Sequence, residues 1–593
     1  MRLTRIALFV ALGVGACGAG VYAALQSEAA PRSTLAGVAP EGALLAIESP
    51  DFAGLLKAWS SSQEEQRWLK SDLYTGFSNS RLFSRLAEAQ QQFAGVAGVA
   101  PDTNFLTQVA GGRSIFAWYD IGNLEFLYIT EMPAGQAAKN PLLSLKDHFE
   151  QRTVGTDTFY VHTATGSADS GGSGDPNAGS GDTRMRTVAF AVRGNYLLLA
   201  TREDLIAGAL ALMQQPAERN VANEPWYAGT VAAAHRAPGD LRMTLNLAKI
   251  VPSPYFRSYW LPQNITETKQ YSAALNDLYR EKGDLREERV LLSTDPEREV
   301  ATADLAPVLA YLPQHAGVYR ATAQPTANMI VNELEDKIMT RGPAGYRDPH
   351  LAPVADLSTP NAGDTRNFEE RIDETAVVTQ PRSADLAALH TLIDNAHPQA
   401  MLTFAASDPV KPEESGTVFS PIHTAIVLEA SGNWEESQWK SGLMAAIAPR
   451  MTIGEAGLVW QEQHRDANRW NELHGMQDYV LAIQGRFAIV ASDEATLLRL
   501  LDTAHTAKPS PQLATTIAGF DHRSERGAFL RLAALLDQTP VDKPTPNGTT
   551  PAFFGNTMAS LSNTFQDLDA ETFRQSTSAD KVTHQTVLYQ WKP

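Results

Sequence analysis

The segment of this sequence that most resembles a catalytic motif is HRDANRWN, at residues 464–471. It fits the pattern His-Arg-Asp-x-x-x-x-Asn of the protein kinase catalytic loop, in which the Asp accepts the proton of the substrate hydroxyl and the Asn binds a metal ion. A kinase also needs a Val-Ala-Ile-Lys-like strand before this motif and Asp-Phe-Gly after it. The chain has neither. We therefore interpret 464–471 as a polar hairpin connection between strands predicted at 457–463 and 478–485.

Histidine and acidic side chains around the same segment raise the question of a metal site, because both are ligands of zinc and other divalent ions. The two histidines of this cluster lie ten residues apart and have no i, i+4 partner on a helix, which favours an ordinary polar hairpin tip. His390 and His397 could share a helix face, but no third ligand is evident. The cluster comprises Glu462, His464, Asp466, Glu472, His474 and Asp478.

A calcium site is a weaker hypothesis for the segment 165–183, which is rich in Gly, Ser and Asp. Its GGSGD resembles the start of a nonapeptide calcium repeat, but the Asp falls one place early and the unit occurs once. We expect a flexible surface loop there. A second loop, lid or partner-binding strap is predicted at the proline-rich segment 341–363.

Four tryptophans in the last third of the chain could form a platform for stacking sugars or peptides, although tryptophans at such spacing more often close the edge of a core. No His-Glu-x-x-His, phosphate-binding loop or Gly-x-Ser-x-Gly is present. The sequence thus predicts no catalytic, cofactor-binding or metal-binding residue and no cofactor. A hydrolase whose acid and base come from distant strands stays open as an alternative. The tryptophans are Trp434, Trp439, Trp460 and Trp470.

Composition narrows the classes of partner. The chain has 593 residues and a net charge of −18, with 43% hydrophobic and 20% charged residues, which is typical of globular domains. Its acidity argues against nucleic acids and against broad adhesion to anionic lipid, because both need clusters of Lys and Arg. Cys17 is the one cysteine, so no intramolecular disulfide can form. The fold must therefore depend on its hydrophobic core.

Residues 1–30 have the pattern of a membrane signal. Arg2 and Arg5 precede an uncharged apolar run at 6–25, whose twenty residues would span about 30 Å as a helix. We expect a single anchor in the inner membrane with the body in the periplasm. VGAC, ending at Cys17, resembles a lipobox, so a lipid anchor is an alternative to an uncleaved helix, and cleavage near Ala29 is a third. GVGACG within this run spells Gly-x-Gly-x-x-Gly, but it lacks the strand and helix that a dinucleotide site requires.

The remainder of the chain is predicted to be an internal duplication. VRGNYLLLATREDLIAGAL at 192–210 resembles IQGRFAIVASDEATLLRLL at 483–501, with Gly194 matching Gly485 at an offset of 291. Further segments match in the same order, and each half is expected to end with a helix and a strand. The helix of the first half is predicted from an apolar stripe at residues 271, 274, 275 and 278. The helix of the second half is predicted from a similar stripe at residues 558, 561, 565 and 568. The other matches are 38–56 with 311–329, 113–120 with 399–408, 127–132 with 425–430, 241–251 with 527–537, and 288–293 with 585–591.

This pattern predicts an α+β fold made of two similar domains, 31–300 and 301–593. Each is expected to be an antiparallel sheet with helices packed on one face. In the duplication, the connection at 464–471 corresponds to the Gly/Ser-rich segment 165–183 of the first copy. Insertions that differ between the halves indicate that the two copies have diverged.

The basic and apolar start, PEGALLAIESPDFAGLL at 40–56 and the repeated strand–glycine–helix pattern resemble an uncharacterised family of bacterial envelope proteins. The resemblance implies a membrane-anchored periplasmic protein whose gene lies near genes for protease traps similar to macroglobulins, and hence an accessory role in envelope defence. It implies no catalytic residues. We expect a non-catalytic protein, tethered to the membrane through its N-terminal segment, that binds an envelope protein or another envelope component. An envelope hydrolase is the alternative.

Overall fold

A computed structural model describes residues 34–70, 74, 77–79, 81–165, 185–253, 268–281, 284–295, 300–314, 316–339, 384–407, 422–451, 458–466, 468–474, 478–508, 510–526, 568–578 and 580–591. Two compact units make up the chain. The first is built mainly from residues 1–297, and the second mainly from 298–550 together with 567–592.

The described part of the first unit contains strands and helices in alternation. Its strands are β1 (Leu45–Ser49), β2 (Ser114–Asp120), β3 (Glu125–Glu131), β4 (Glu150–Val154), β5 (Asp157–Thr165), β6 (Met185–Arg193), β7 (Tyr196–Ala200), β8 (Leu241–Leu245), β9 (Tyr271–Glu281) and β10 (Asp284–Ser293). Its α-helices are α1 (Phe52–Ser60), α2 (Gln63–Lys70), α3 (Arg81–Ala97), α4 (Thr103–Val109), α5 (Glu203–Gln214), α6 (Pro225–Ala233) and α7 (Leu247–Ile250). Short 3-10 helices lie at Leu35–Val38, Ala137–Lys139, Pro141–His148 and Val221–Asn223.

The described part of the second unit has a similar order of elements. Its strands are β11 (Ala303–Asp304), β12 (Val318–Ala323), β13 (Pro398–Ser407), β14 (Ile422–Ala430), β15 (Trp460–Arg465), β16 (Asn468–Leu473), β17 (Tyr479–Gln484), β18 (Phe487–Ala491), β19 (Leu513–Ala514), β20 (Thr516–Asp521), β21 (Leu568–Thr577) and β22 (Val582–Trp591). Its helices are α8 (Ala306–Leu309), α9 (Ala327–Leu334), a π-helix (Glu335–Met339), α10 (Ala384–Asn395), α11 (Glu436–Met451) and α12 (Glu494–Thr506).

The strand order confirms the internal duplication. In the first unit, neighbouring strands are antiparallel in the order β4-β5-β6-β7-β3-β2-β1-β8-β9-β10. In the second unit the order is β15-β16-β17-β18-β14-β13-β12-β20-β21-β22, again antiparallel throughout. The two lists match strand for strand. The α+β class and the antiparallel sheets predicted from the sequence are therefore confirmed.

The register of the strands agrees with the sequence matches made above. Leu45 of β1 pairs with residues of β2 and β8, and Val318 of β12 pairs in the same way with β13 and β20. The sequence match of 38–56 with 311–329 also assigns Leu45 and Val318 to equivalent positions in the two copies. Gly194 and Gly485, the matched glycines, both have φ +60° in the tight turns β6–β7 and β17–β18. Glycine adopts this left-handed conformation without a steric cost, which is why both turns use it.

The predicted helix at 271–278 is wrong, because these residues lie in strand β9. Tyr271, Ala274 and Leu275 are buried there together with Ala273, so neighbouring residues on both sides of the strand are apolar. Such a strand has no two-residue alternation, and its apolar residues also satisfy helical spacing. In the second half, Leu568 begins strand β21, and the rest of the predicted stripe lies outside the described residues.

The predicted match of 241–251 with 527–537 is also wrong. Strand β8 pairs with β1, and the strand that pairs with the corresponding β12 is β20 at Thr516–Asp521. Its central Gly519 and the adjacent alanine weaken the apolar pattern that would have identified it. An added Cβ at Gly519 would lie 2.3 Å from the Tyr319 ring, so a side chain there would collide with β12.

Helices cover both faces of each sheet, where we expected one face. In β7, Leu198 and Ala200 pack in a cluster with α5 and α6, whereas Leu197 and Leu199 pack on the other side with α1, α3 and α4. Strand β18 alternates in the same way, between α9, α10 and α11 on one side and α8 and α12 on the other. Because the central strands are apolar on both sides, one layer of helices would leave one face exposed to water.

Several predicted features lie outside the described residues. They are the segment 1–30 with Cys17, the loop 166–183 and the strap 341–363. Among the residues that the structure does describe, no helix is both long and apolar enough to cross a membrane.

A row of charged residues crosses three strands of the first sheet on the face of α5 and α6. Arg242 of β8 donates to both carboxylate oxygens of Asp277 of β9, at 2.8 Å and 2.6 Å, and both side chains are 3% exposed. Glu48 of β1 pairs with Arg242 across the strands and accepts a hydrogen bond from the Tyr227 hydroxyl. Burial raises the pKa of Glu48 and of Asp277, against the hydrogen bonds and charges that lower it.

Replacing Arg242 by Met should destabilise the first unit by about 3–5 kcal/mol, because the Asp277 carboxylate would stay buried without its cation. The double variant Arg242→Met, Asp277→Leu should recover most of this loss, since an apolar pair of similar volume needs no compensation. Hydrogen exchange of β8 and β9 peptides in the full chain measures both values. Equal destabilisation in the single and double variants would contradict the expectation.

The raised pKa of Glu48 predicts a dependence of stability on pH. A carboxyl group with a raised pKa binds its proton more tightly in the folded unit, so its contribution is largest below the ordinary pKa of about 4.3 and is lost as the pH rises through the folded pKa. Glu48→Gln keeps an acceptor for Tyr227 and removes this titration. The variant should therefore gain stability relative to the native chain as the pH rises from about 4 to 7. Asp277 titrates in both proteins, so it cancels in the difference, which exchange of β1 peptides would measure.

Candidate functional site

A cavity of about 210 Å³ lies inside the first unit, between one face of the sheet and the helices α3 and α4. Strands β1, β2, β3, β6 and β7 form its floor, and Phe52 of α1 closes one side. Its lining is mostly apolar and rich in aromatic rings. The aromatic residues are Phe52, Phe93, Phe105, Phe116, Trp118, Phe126 and Tyr128.

The helical wall of this cavity follows from the spacing of residues in α3. Leu86, Ala89, Gln90 and Phe93 line the cavity and stand at i, i+3, i+4 and i+7, which places them on one face of the helix. Helix α4 begins at the capping side chain of Asp102, which accepts the Phe105 N–H at 2.9 Å. The rings of Phe93 and Phe105 then meet edge to face, with centroids 6.1 Å apart.

One end of the cavity is polar. Arg186, near the start of β6, donates from Nε to the side-chain oxygen of Gln92 at 2.8 Å and from Nη1 to the carbonyl of Asn123 at 2.6 Å. These contacts tie α3, β6 and the β2–β3 turn together. Leu124 in this turn also lines the cavity and has φ +54°, a left-handed conformation that is strained for a bulky residue. The strain indicates that the turn is held in place by its surroundings.

Two polar groups lie within the aromatic lining. The Tyr128 hydroxyl donates to the carbonyl of Val109 at 3.1 Å, and burial raises the pKa of Tyr128. The indole N–H of Trp118 is buried and has no hydrogen-bond partner among the described residues. A buried donor of this kind costs about 1–3 kcal/mol when it is left without an acceptor. No sequence motif marks an aromatic cavity that is assembled from distant strands, so these residues could not be identified from the sequence.

The second unit does not repeat this lining. The strand register assigns an equivalent in the second sheet to the residues of the cavity floor on β1, β2 and β3. Four of these equivalents are smaller or polar, so the second unit does not repeat the aromatic floor at these positions. The replacements are Ile47 by Arg320, Phe116 by Thr403, Trp118 by Ala405 and Phe126 by Thr424.

HRDANRWN lies in a hairpin, but the prediction that it connects the strands at 457–463 and 478–485 is wrong, because β16 lies between them. The segment ends β15, turns at Asp466 with φ +52° and continues as strand β16. Its Asn471 is buried between Glu436 and Lys440, and Asn468 contacts Asp502 and His505. Its counterpart is the β4–β5 turn at 155–156, not the segment 165–183. The residues of the two equivalent hairpin turns have different chemical types. The sequence match of 464–471 with 165–183 relied on polar composition and was therefore wrong.

The histidines named as metal ligands do not converge. His474 contacts Glu472 through Nε2 at 3.2 Å and Asp478 through Nδ1 at 3.1 Å, so the two carboxylates lie against opposite ring nitrogens. Glu462 pairs with Arg469 instead. Across the described residues, no group of three His, Cys, Asp or Glu is arranged to hold a metal ion.

The other candidate residues also take structural positions. His390 contacts Asn328 from α10, whereas His397 lies beyond the end of that helix, so the two do not share a helix face. Trp434, Trp439 and Trp470 are 5%, 0% and 3% exposed. They pack in the core, and the stacking platform is therefore wrong for these three. Trp460 is partly buried and donates to the carbonyl of Lys440.

Ser492, His423 and Asp493, which no sequence motif connects, meet at the start of α12. The Asp493 carboxylate accepts hydrogen bonds from His423 Nδ1 and the Ser492 hydroxyl, each at 2.8 Å, and caps the helix at the N–H of Thr496. Burial acts to raise the pKa of Asp493, but these hydrogen bonds outweigh it and lower the pKa. A nucleophilic serine must donate to the histidine. Here both bind the aspartate, so the arrangement serves as a helix cap.

Comparison with known proteins adds no functional assignment. No protein family model and no curated protein matches the chain. Among solved structures, crystal form I of TP0453, a membrane-associated protein of Treponema, matches 45% of this chain and 82% of its own, with 10% identity and a TM-score of 0.22. At this TM-score the similarity carries no argument about fold or function. The resemblance to an envelope family stays a prediction.

Asp493→Ala should destabilise the second unit by about 0.5–2 kcal/mol at neutral pH, because α12 would lose its capping side chain. The lowered pKa means that this contribution is present above the ordinary pKa of Asp, about 3.9, and is lost as the pH falls through the folded value. Urea unfolding of the native protein and of Asp493→Ala, at neutral pH and near pH 3, measures the difference in their free energies of unfolding. A loss of the same size at both pH values would contradict the electrostatic part of the argument.

Proposed function

We propose that the protein is a non-catalytic binding protein of the bacterial envelope, whose first unit holds an apolar envelope component, a single acyl chain, in the cavity between α3, α4 and the sheet. The observation that carries this proposal is the cavity itself, which is aromatic and aliphatic along its length and polar at one end. Ligand sites commonly combine an apolar wall with a few polar groups that fix the orientation of the ligand.

The size of the cavity supports a narrow ligand. An apolar cavity of about 150 Å³ stays dry and accepts a small apolar molecule, whereas most small-molecule pockets measure about 300–1,000 Å³. The value of about 210 Å³ lies between these limits. It fits one hydrocarbon chain better than a lipid with two chains or a large ring system. Burial of a chain contributes about 0.8 kcal/mol per CH₂ group, which is enough for useful affinity.

The distribution of ionisable groups supports binding over catalysis. Glu48 and Asp277, whose pKa values are raised by burial, belong to the opposite face of the sheet. Arg186 is the charged side chain among the described residues of the cavity lining. An acid–base reaction needs a pair of groups with suitable pKa values beside the substrate. The envelope hydrolase considered from the sequence is therefore the weaker proposal.

The proposed location supports an acyl chain as the ligand. The segment 1–30 is predicted to tether the body to the inner membrane, either as a helix or through lipid on Cys17. Acyl chains are the most abundant apolar groups at such a surface. An envelope protein as a further partner also stays a prediction.

The full chain in phosphatidylcholine nanodiscs should be labelled at α3, β2 or β6 by decanol that carries a photoreactive diazirine at the end of its chain. Ala89→Phe fills the cavity from α3 and should raise the concentration for half-maximal labelling at least tenfold, at a stability cost of about 1–3 kcal/mol or less. Mass spectrometry measures the extent of labelling of each peptide. It therefore distinguishes probe bound in the cavity from probe in the surrounding lipid.

Gln91→Phe provides the matched control, since Gln91 lies on the exposed side of the same helix. It adds the same ring outside the cavity and should leave labelling unchanged. Labelling that is equal in the two variants, or absent from cavity peptides of the native chain, would overturn the proposed function.

A further inference from the structure

We propose that Lys440 of α11 and Asn471 of β16 form an intramolecular isopeptide bond, with Glu436 as the catalytic group that moves the proton. This inference goes beyond the proposed function and does not depend on it, since all three residues belong to the second unit. Its starting point is the mutual contact of the three side chains.

Asn471 is a buried polar residue at a position that the first copy fills with an aromatic ring. The residue is 1% exposed, and the strand register makes Tyr160 of β5 its equivalent. Tyr160 stacks on Phe190, with ring centroids 5.1 Å apart. The shared backbone therefore accepts an aromatic contact at this position, whereas the second copy has a primary amide, whose polar atoms need partners when they are buried.

Two charged side chains of α11 supply these partners. Lys440 donates from Nζ to the side-chain oxygen of Asn471 at 2.8 Å, and the amide nitrogen of Asn471 donates to Glu436 Oε1 at 3.0 Å. Glu436 and Lys440 are four residues apart, so they lie on one face of the helix. The lysine nitrogen is 3.5 Å from the same Oε1. One carboxylate oxygen is therefore within reach of both the amine and the amide nitrogen.

The surroundings hold the three groups in place. Trp439 precedes the lysine in α11 and is fully buried, and the indole of Trp460 donates to the backbone carbonyl of Lys440 at 3.1 Å. Arg469 donates to Oε2 of Glu436 at 2.6 Å, which leaves Oε1 directed at the other two groups. Groups that are held together in this way react as if at very high concentration, up to about 10⁵–10⁸ M in the best cases.

The reaction joins the two side chains and releases ammonia. The lysine first loses its ammonium proton to water, and the lone pair of the uncharged amine then attacks the side-chain carbonyl carbon of Asn471. Glu436 Oε1 takes one proton from the attacking nitrogen and delivers it to the amide nitrogen. The bond between the carbonyl carbon and the amide nitrogen breaks, ammonia leaves, and Glu436 is a carboxylate again. The reaction consumes no oxidant, reductant or co-reactant.

The bond ties helix α11 covalently to strand β16, which pairs with β15, the first strand in the order of this sheet. A disulfide cannot do this, because the chain has one cysteine. The cross-link between residues 440 and 471 closes a loop and restricts the unfolded chain, as a disulfide does.

Peptide mass spectrometry tests the bond in the full chain, which is stored at mildly alkaline pH to favour the uncharged amine and then denatured and digested with trypsin. Trypsin does not cleave after an acylated lysine. The native chain should therefore give 383–450 joined to 470–486, lighter than the two separate peptides by about 17 Da, the mass of ammonia. Lys440→Arg should abolish the joined peptide. Glu436→Gln should slow its formation by about a hundredfold, followed over time after pulse labelling with heavy amino acids.

Two substitutions outside the reacting groups are matched controls. Lys337 pairs with Glu333 at 3.4 Å in the same i, i+4 arrangement, and Lys337→Arg should leave the yield of joined peptide unchanged. Glu462 pairs with Arg469, the arginine that also binds Glu436, and Glu462→Gln should leave the rate of bond formation unchanged.

The native chain decides the proposal by itself. Recovery of the separate peptides 383–440 and 470–486 without a joined product would overturn it. A loss of about 17 Da within 470–486 alone would also overturn it, because Asn471 would then have cyclised with its own backbone. A native rate of bond formation in Glu436→Gln would overturn the catalytic role of Glu436. Where that variant does not fold, Glu436→Asp replaces it: a slower rate supports the role, and an unchanged rate overturns it.

Discussion

The structure depends on one constraint, which is that the central strands of each sheet are buried on both faces. Strands β3 and β7 alternate between two hydrophobic clusters, so every residue in them must suit an apolar neighbour on its own side. Helices on both faces satisfy this requirement. The ladder of backbone hydrogen bonds then fixes which residues stand opposite each other, and the order of the strands in it is the same in both units.

Because the two units share the backbone hydrogen-bonding pattern, side chains can differ between them in each row, which is a set of paired residues on neighbouring strands. The row Glu48, Arg242 and Asp277 in the first unit corresponds to Ala321, Ile517 and Arg574 in the second. The buried ion pair of the first unit thus has no counterpart in the second, where Ile517 stands beside an exposed Arg574 on the same backbone ladder. The aromatic floor of the cavity is a second set of rows that differs between the copies. Divergence of this kind changes chemistry without disturbing topology.

Much of the fold could be predicted from the sequence, because turn glycines and short apolar strands keep their spacing through duplication. Gly194 and Gly485 carry the same φ, and the match of Pro40 with Pro313 gave the register of β1 and β12. Strand β9 was mistaken for a helix, since burial on both faces removes the alternation that identifies a strand. The cavity could not be predicted. Phe93, Phe116 and Arg186 come from elements that only the folded chain brings together.

The two copies together suggest why one of them can keep an internal cavity. A cavity removes van der Waals contacts and costs stability in proportion to its volume, about 24 cal/mol per Å³. In the first unit this cost coexists with a strained Leu124 in the turn that lines the cavity. The second unit builds the same sheet with Thr403, Ala405 and Thr424 in the equivalent rows. Since the backbone does not require the aromatic floor, the space above it is a feature of the first copy's side chains, and the acyl chain proposed above would restore part of the van der Waals contact that this space removes.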